Sequence, residues 1–248
     1  MARLVRVPLD ALAAGLRDLP RDPGHYLCVV HRLAAGDEFI AFDPELGVEA
    51  RGRLINVERA RVSCELSAPT LARRGSLGVT LLQATAKGDR IEQVVRGATA
   101  LGVERIVLVV TERSVARPAD VRRERLRTIA IEAARQSGRA DLPALDGPIS
   151  FAEQMAVLES FDGLKLCLSP ESPVALADRL QALPLGSPAA LLIGPEGGLS
   201  DGELDAARRV GFLSAGLGPL VLRTELAALA ALGCFAGRLA GAGDAGFD

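Results

Sequence analysis

Residues 191–227 read LLIGPEGGLSDGELDAARRVGFLSAGLGPLVLRTELA, and the order of residue types in this stretch decides the fold. Ala189 to Ile193 is an apolar run with no polar alternation. A half-exposed strand would alternate, so this run fits a strand covered on both faces. It breaks into Gly194-Pro195-Glu196-Gly197-Gly198. Ser200 and Glu203 then make the Ser-x-x-Glu pattern that caps a helix start, and Gly211 closes the helix. Phe212 to Leu217 is a second strand, Gly218-Pro219 turns the chain, and a helix runs from about Thr224 to Leu239. Strand, glycine loop and helix thus occur twice in succession. Such alternation implies a parallel α/β sheet with helices on both faces. Ligands of these sheets bind outside the carboxyl ends of the strands, where both glycine loops lie.

The same alternation reaches upstream to Gly78. Strands are expected over 78–86, 104–110 and 164–168. Asp89 with Glu92, and Ser150 with Glu153, offer two more capping boxes. Ile91, Val94, Val95, Ala98 and Leu101 repeat at helical spacing before Gly102. Pro118 opens a helix to Gln136, and Ser172-Pro173 begins one to about Ala182. Before residue 72 the texture differs. RLVRVPL, HYLCVV, EFIAFD, VEARGRLINV and ARVSCEL read as short strands between turn signals, with one short helix in LDALAAGLRDL. That spacing suggests a small β-barrel. PTLARRGS (69–76) reads as a linker, so the expected domains are 1–72 and 76–248.

Composition narrows the function classes. With 49 % apolar residues but 3 % aromatics and no Trp, the core must rest on aliphatic side chains. No apolar run reaches the ~18–20 residues of a membrane-spanning helix, and residues 1–20 carry charges throughout, unlike a signal peptide. A cytoplasmic location and no membrane partner are the expectation. Cys28, Cys64, Cys167 and Cys234 form no CxxC and are expected to be small buried residues. The two histidines, His25 and His31, do not make a metal site. Arg113 to Arg139 holds eight Arg against Asp120, Glu124 and Glu132. That segment is either a solvated helix face or a basic patch for phosphate.

The two loops do not fit a nucleotide-phosphate cradle. No Gly-Lys-Ser/Thr is present, Pro195 removes an N–H donor, and Glu196 would repel phosphate. An adenosine-bearing cation without phosphate, such as S-adenosylmethionine, fits better. The alternative at each loop is a tight strand-to-helix turn with no ligand. The cluster Arg223-Thr224-Glu225 at the end of the second loop demands polar partners.

At these residues the chain resembles a known family. The quoted C-terminal stretch is similar to the signature of the RsmE family, the bacterial 16S rRNA (uracil(1498)-N3)-methyltransferases of the SPOUT superfamily. KGDRIEQVVRGATALGVERIVLVVTERSV and RLRTIAIEAARQSGR resemble the family's middle motifs. HYLCVVHRLAAGDEFIAFD resembles its N-terminal PUA-like, RNA-binding barrel. The resemblance implies a deep trefoil knot in the C-terminal sheet, a homodimer, S-adenosylmethionine as cofactor with S-adenosylhomocysteine as product, and the 16S rRNA of the 30S subunit as partner. It places the cofactor on three loops: around Leu168 and Ser169; Ile193, Gly194, Pro195, Glu196 and Gly197; Leu217, Gly218, Leu220, Val221, Leu222, Arg223 and Thr224. The chain departs from the family at Leu220 and Leu226, usually Arg and Thr, and at Ala100, usually Glu. These departures keep open an alternative, a retargeted or non-catalytic RNA-binding ribosome-assembly factor.

On this reading Arg223 stabilises negative charge on a uracil carbonyl. Glu225 orients Arg223 or takes the proton, and Thr224 binds through its hydroxyl or backbone. No metal is needed. Arg139 and Gln136 are expected to contact RNA, with a helix C-cap as the plainer alternative for Arg139. His25 and Arg32 are expected RNA contacts of the N-terminal part.

Overall fold

A computed structural model describes residues 4–58, 61–72, 76–114, 121–181 and 183–242. Contacts divide the chain into two units. The first is Met1–Gly75 with Ile131–Leu142, and the second is Ser76–Ala130 with Pro143–Asp248.

In the first unit, β1 (Val5–Pro8), β2 (Gly15–Asp18), β3 (Glu38–Asp43), β4 (Val48–Val57), β5 (Val62–Leu66) and β6 (Thr70–Leu71) form one sheet. Its order is β1-β3-β4-β5-β2, with β6 paired to β4. Phe39, Leu54 and Cys64 are fully buried at its centre. Two sequence expectations fail here. HYLCVV is not a strand: α1 (Arg21–His25) runs into a π-helical turn, Tyr26–Val30. Only Leu27 of that turn is buried, while Val29 and Val30 are more than half exposed, so its apolar residues do not mark a sheet face. LDALAAGLRDL is not a helix either. Ala11 and Gly15 take positive φ, and the Asp43 carboxylate accepts from the Ala11 N–H at 2.9 Å. These breaks deliver β2 to its antiparallel partner β5. Residues 131–142 cluster with this unit, which the sequence boundary at 72–76 did not anticipate. Ala134 and Ala140 pack on Phe42.

The second unit is a six-stranded, wholly parallel sheet. In chain order it contains β7 (Val79–Ala84), α2 (Arg90–Ala100), β8 (Arg105–Val110), α3 (Arg123–Ser137) and β9 (Ala144–Ser150). There follow α4 (Phe151–Leu158), β10 (Leu164–Leu168), α5 (Leu176–Gln181), β11 (Ala189–Ile193), α6 (Asp201–Arg209), β12 (Leu213–Ala215) and α7 (Thr224–Ala242). The end of α3 falls among the residues that cluster with the first unit. The strand order is β12-β10-β11-β7-β8-β9. Every residue of β11 is buried, as an uninterrupted apolar strand requires. Phe151, Met155 and Leu158 of α4 pack with Ala207 and Phe212 against Leu82 and Leu192.

The boxes at Ser150 and Ser200 both form, with reciprocal side-chain and backbone bonds to Glu153 and Glu203. The one expected at Asp89 does not: Asp89 Oδ2 accepts from Gln93, and Glu92 is drawn to Arg125. α5 begins four residues after Ser172, because Val174 and Ala175 are recruited to backbone pairing with Gly216. Pro118 lies outside the described residues. Strand β9 was not anticipated: its seven residues include Asp146, Gly147 and Pro148, and its edge position tolerates them. Cys64 and Cys167 are buried as expected, Cys28 is only partly so, and Cys234 on α7 is exposed.

Candidate active site

β10 and β11 are neighbours whose onward connections leave in opposite directions. β10 leads inward to β11, and β11 leads back past β10 to β12. A crevice forms at the carboxyl ends of such a pair. Three loops converge there: Leu168 to Val174, Ile193 to Gly198, and Leu217 to Arg223.

The first and third loops are knitted through the backbone. Ser169 N donates to Ala215 O at 3.0 Å, Gly216 N to Val174 O at 2.9 Å, and Leu176 N to Gly216 O at 2.8 Å. A Cβ on Gly216 would lie 3.2 Å from Ser172 O and 3.7 Å from the carbonyl oxygens of Ser169 and Val174. Glycine lets the chain leave β12 this close to the first loop without the carbonyls having to shift. Cys167 sits at the end of β10, and burial pushes its thiol up to about 11. It therefore stays neutral near pH 7 and is no nucleophile.

The second loop is held from three sides. Thr224 Oγ1 donates to Gly194 O at 2.8 Å and accepts from Gln83 Nε2 at 2.9 Å. Thr224 and Gln83 are both buried. The Thr224 hydroxyl is therefore committed to the protein, so of the two expected modes of binding, hydroxyl or backbone, only the backbone one is left to Thr224. Arg113, from the loop after β8, donates to Gly197 O at 2.9 Å. Glu196 pairs with Arg90 at the start of α2. Arg90 thus engages one carboxylate oxygen, Oε1, of a side chain that is still partly exposed. Glu203 Oε1 accepts from Glu112 N at 2.8 Å, tying the start of α6 to the Arg113 loop. Gln83, Arg90 and Arg113 were not anticipated. Gln83 interrupts an apolar strand as its sole polar residue after Thr80, which was the available signal. Arg90 and Arg113 lie in the stretch that resembles the family's middle motif, but nothing local tied either to the second loop.

The third loop is the open wall. Among the described residues, the backbone N–H and C=O groups of Leu217 to Leu222 have no hydrogen-bond partner. Gly218, at φ +115°, has nothing within 4 Å of a would-be Cβ. Free backbone donors and acceptors beside leucines suit an adenosine, which needs edge hydrogen bonds and apolar faces. The loops thus fit S-adenosylmethionine. The departures Leu220, Leu226 and Ala100 are all exposed, and none packs inside a loop.

The Arg223 side chain is exposed and has no hydrogen-bond or ionic partner among the described residues. It does not pair with Glu225. Glu225 is half-buried, and its Oε2 is shut from solvent with no hydrogen-bond partner among the described residues. Both stand at the start of α7, where unpaired first-turn amides and the helix dipole favour negative charge.

The four candidate RNA contacts lie in the first unit. Arg139 is buried, with Nε and Nη2 each 3.0 Å from the Asp141 carboxylate. A guanidinium held bidentately in the interior is a structural pair, so the expected phosphate contact at Arg139 is not carried by this geometry. Gln136, His25 and Arg32 are exposed, and Arg32 takes a left-handed φ of 58°. The π turn adds residues that were not anticipated. Arg135 lies 4.0 Å over the Tyr26 ring, and His31 meets that ring edge-on at 4.6 Å. The described residues hold no His/Cys/Asp/Glu group able to bind a metal, and no helix long and apolar enough to cross a membrane.

The model of the RNA methyltransferase domain matches residues 73–236. The chain is 32 % identical over 217 residues to ribosomal RNA small subunit methyltransferase E of Bacillus subtilis, covering 84 % of each. It belongs to the ribosomal RNA small subunit methyltransferase E family. The Mycobacterium tuberculosis member is 32 % identical over 225 residues, 86 % of this chain and 82 % of that one. Among solved structures, the Neisseria gonorrhoeae methyltransferase E bound to S-adenosyl methionine superposes with a TM-score of 0.80 at 29 % identity. That match covers 95 % of this chain and 98 % of the other. A Legionella pneumophila structure with bound cofactor SAM gives the same TM-score and identity, over 96 % and 98 %.

Proposed function

We propose that this protein is an S-adenosylmethionine-dependent methyltransferase that modifies N3 of a uridine in 16S rRNA of the small ribosomal subunit. The observation that carries the reading is the crevice itself. Its third loop has unpaired backbone groups, its second loop is clamped, and Arg223, exposed, and Glu225, half-buried, stand at its edge. S-adenosylmethionine supplies an electrophilic methyl group on a sulfonium sulfur. Ile193 to Gly197, Leu168 and Leu217 to Leu222 would hold it.

The protein's own task is to prepare the uridine. N3–H of uracil is a weak acid, and its loss spreads negative charge onto the flanking carbonyl oxygens. Glu225, half-buried at the start of α7, accepts that proton. Arg223 and the first-turn amides of α7 stabilise the charge that remains. Holding the deprotonated ring in line with the methyl group accounts for the rest of the rate.

The close passage of Gly216 through the carbonyls of Ser169, Ser172 and Val174 supports the trefoil knot implied by the family resemblance. The mixed sheet of the first unit is a PUA-like barrel that presents His25, Arg32 and Gln136 to RNA. An enzyme of ribosome maturation works in the cytoplasm. The non-catalytic alternative is not favoured, since its motivating departures leave the loop contacts intact.

The deciding experiment is transfer from labelled S-adenosylmethionine to 30S subunits of a strain lacking the native enzyme, with the nucleoside identified by mass spectrometry. 3-Methyluridine in 16S rRNA is expected. A labelled nucleoside other than 3-methyluridine would remove the assignment. Weaker subunit binding by Arg32→Ala, with a shallower salt dependence, is expected from the same preparation.

The protein acts as a homodimer. Only Glu225 and Arg238 are charged in the 19 residues of α7, and Leu220, Val221 and Leu226 are 75 %, 81 % and 52 % exposed. So apolar a surface seeks a partner. Sedimentation is expected to show a dimer for the native chain and a monomer for Leu220→Asp/Val221→Asp. A native monomer at micromolar concentration would refute the proposal.

A further inference from the structure

A cavity of about 360 Å³ lies beyond the carboxyl end of β7, between the starts of α2 and α3, apart from the three cofactor loops. Its volume falls within the ~300–1,000 Å³ usual for ligand sites. Ile91 and Leu126, both buried, give it an apolar floor. Lys87 and Arg122 stand exposed on its rim, with no ionic partner among the described residues. Arg125 forms one wall. It meets Glu92 at two points, Nε with Oε1 and Nη2 with Oε2, the latter at 2.8 Å. That pairing fixes the plane of the guanidinium and holds the Glu92 carboxyl below its ordinary range. Of the four charged residues in the lining, three are cations.

The cavity adjoins the active crevice through one short segment. Lys87 and Ile91 line the cavity, and Arg90 between them pairs with Glu196 of the second loop. A ligand here therefore lies beside the cofactor loops. It should have a flat, weakly polar body for the floor and the guanidinium face, and an anionic part for the rim. A nucleotide has both.

We propose that this cavity seats a nucleotide of the RNA substrate, its base over Ile91 and Leu126 and its phosphate against Lys87 and Arg122. The inference rests on the RNA methyltransferase reading. It adds a second point of grip on the strand, which would set the register of the target uridine in the crevice.

The test is the full-length Lys87→Glu/Arg122→Glu variant, whose changes are confined to exposed side chains. The KM for 30S subunits is expected to rise about tenfold, with a salt dependence of binding shallower by about two charges. The Kd for S-adenosylmethionine, measured by calorimetry, should stay within about twofold. In parallel, rRNA fragments carrying 4-thiouridine are irradiated on the native protein, and the cross-linked peptides are mapped. Cross-links within 86–92 or 121–126 are expected. Unchanged KM and salt slope, or cross-links confined to other segments, would overturn the proposal. A variant that loses cofactor affinity while keeping RNA binding would also overturn it, by assigning the cavity to the cofactor. Failure of the native protein to methylate any RNA would sink the enzymatic reading separately, and the cross-links would still decide the cavity.

Discussion

Replacing Arg223 with alanine is expected to slow methyl transfer by roughly 10²–10³-fold, while the Kd for S-adenosylmethionine changes by less than about threefold. The cofactor is held mainly by backbone groups, which this substitution leaves in place. What is lost is a cation beside the ring that must become an anion. That interaction is worth more at the transition state than in the ground state, so the loss appears in kcat rather than KM. Arg223→Lys should recover part of the rate, because an ammonium restores the charge but not the planar fork. Single-turnover kinetics with 30S subunits reads this directly. If Arg223→Ala keeps the native rate, Arg223 belongs to an interface and the first-turn amides of α7 stabilise the charge alone.

Thr224→Val should be the most damaging isosteric change in the second unit. The Thr224 hydroxyl joins Gly194 O to Gln83 Nε2, at 2.8 and 2.9 Å, inside the protein. Valine fills the same space but takes a bond from the part-buried Gly194 carbonyl and one from Gln83 Nε2, which keeps Ala84 O at 3.2 Å. A lost buried bond costs ~1–3 kcal/mol, so a destabilisation of about 1–3 kcal/mol is expected. For a chain of this size that lowers the melting temperature by roughly 2–12 °C. Gly194 begins the second cofactor loop, so cofactor affinity should fall as well. Thr224→Ser keeps the hydroxyl and should restore most of both. A Thr224→Val protein that melts within a degree of the native one would show that the clamp contributes nothing.

These two residues separate what could be read early from what could not. Arg223 and Thr224 are adjacent in one polar cluster, and both looked like substrate groups. Only the fold shows that one is exposed and the other is spent on holding a loop. The difference lies in Gln83, 141 residues away, which no local pattern connects to Thr224. Arg139 makes the same point. Its place at a helix end beside glycine suited a phosphate contact, but Asp141 and burial claim it. Glu196 was expected to face the ligand, and the fold adds Arg90 as a partner for its carboxylate.

The sequence by itself determined the strand–helix alternation of the second unit apart from β9, the buried character of β11, the caps at Ser150 and Ser200, and the two glycine loops of the crevice. These follow from short-range rules: apolar periodicity, capping chemistry and the turn preference of glycine. The tertiary structure alone decided the rest. It set the strand order that brings β12 back beside β10, and the attachment of residues 131–142 to the first unit. It turned HYLCVV into a helical turn, and it selected which polar side chains remain free to act. Strand order and side-chain partners depend on contacts between residues far apart in the chain. Local propensity carries no information about those contacts, because each is settled by which groups are left unburied and unpaired once the layers pack.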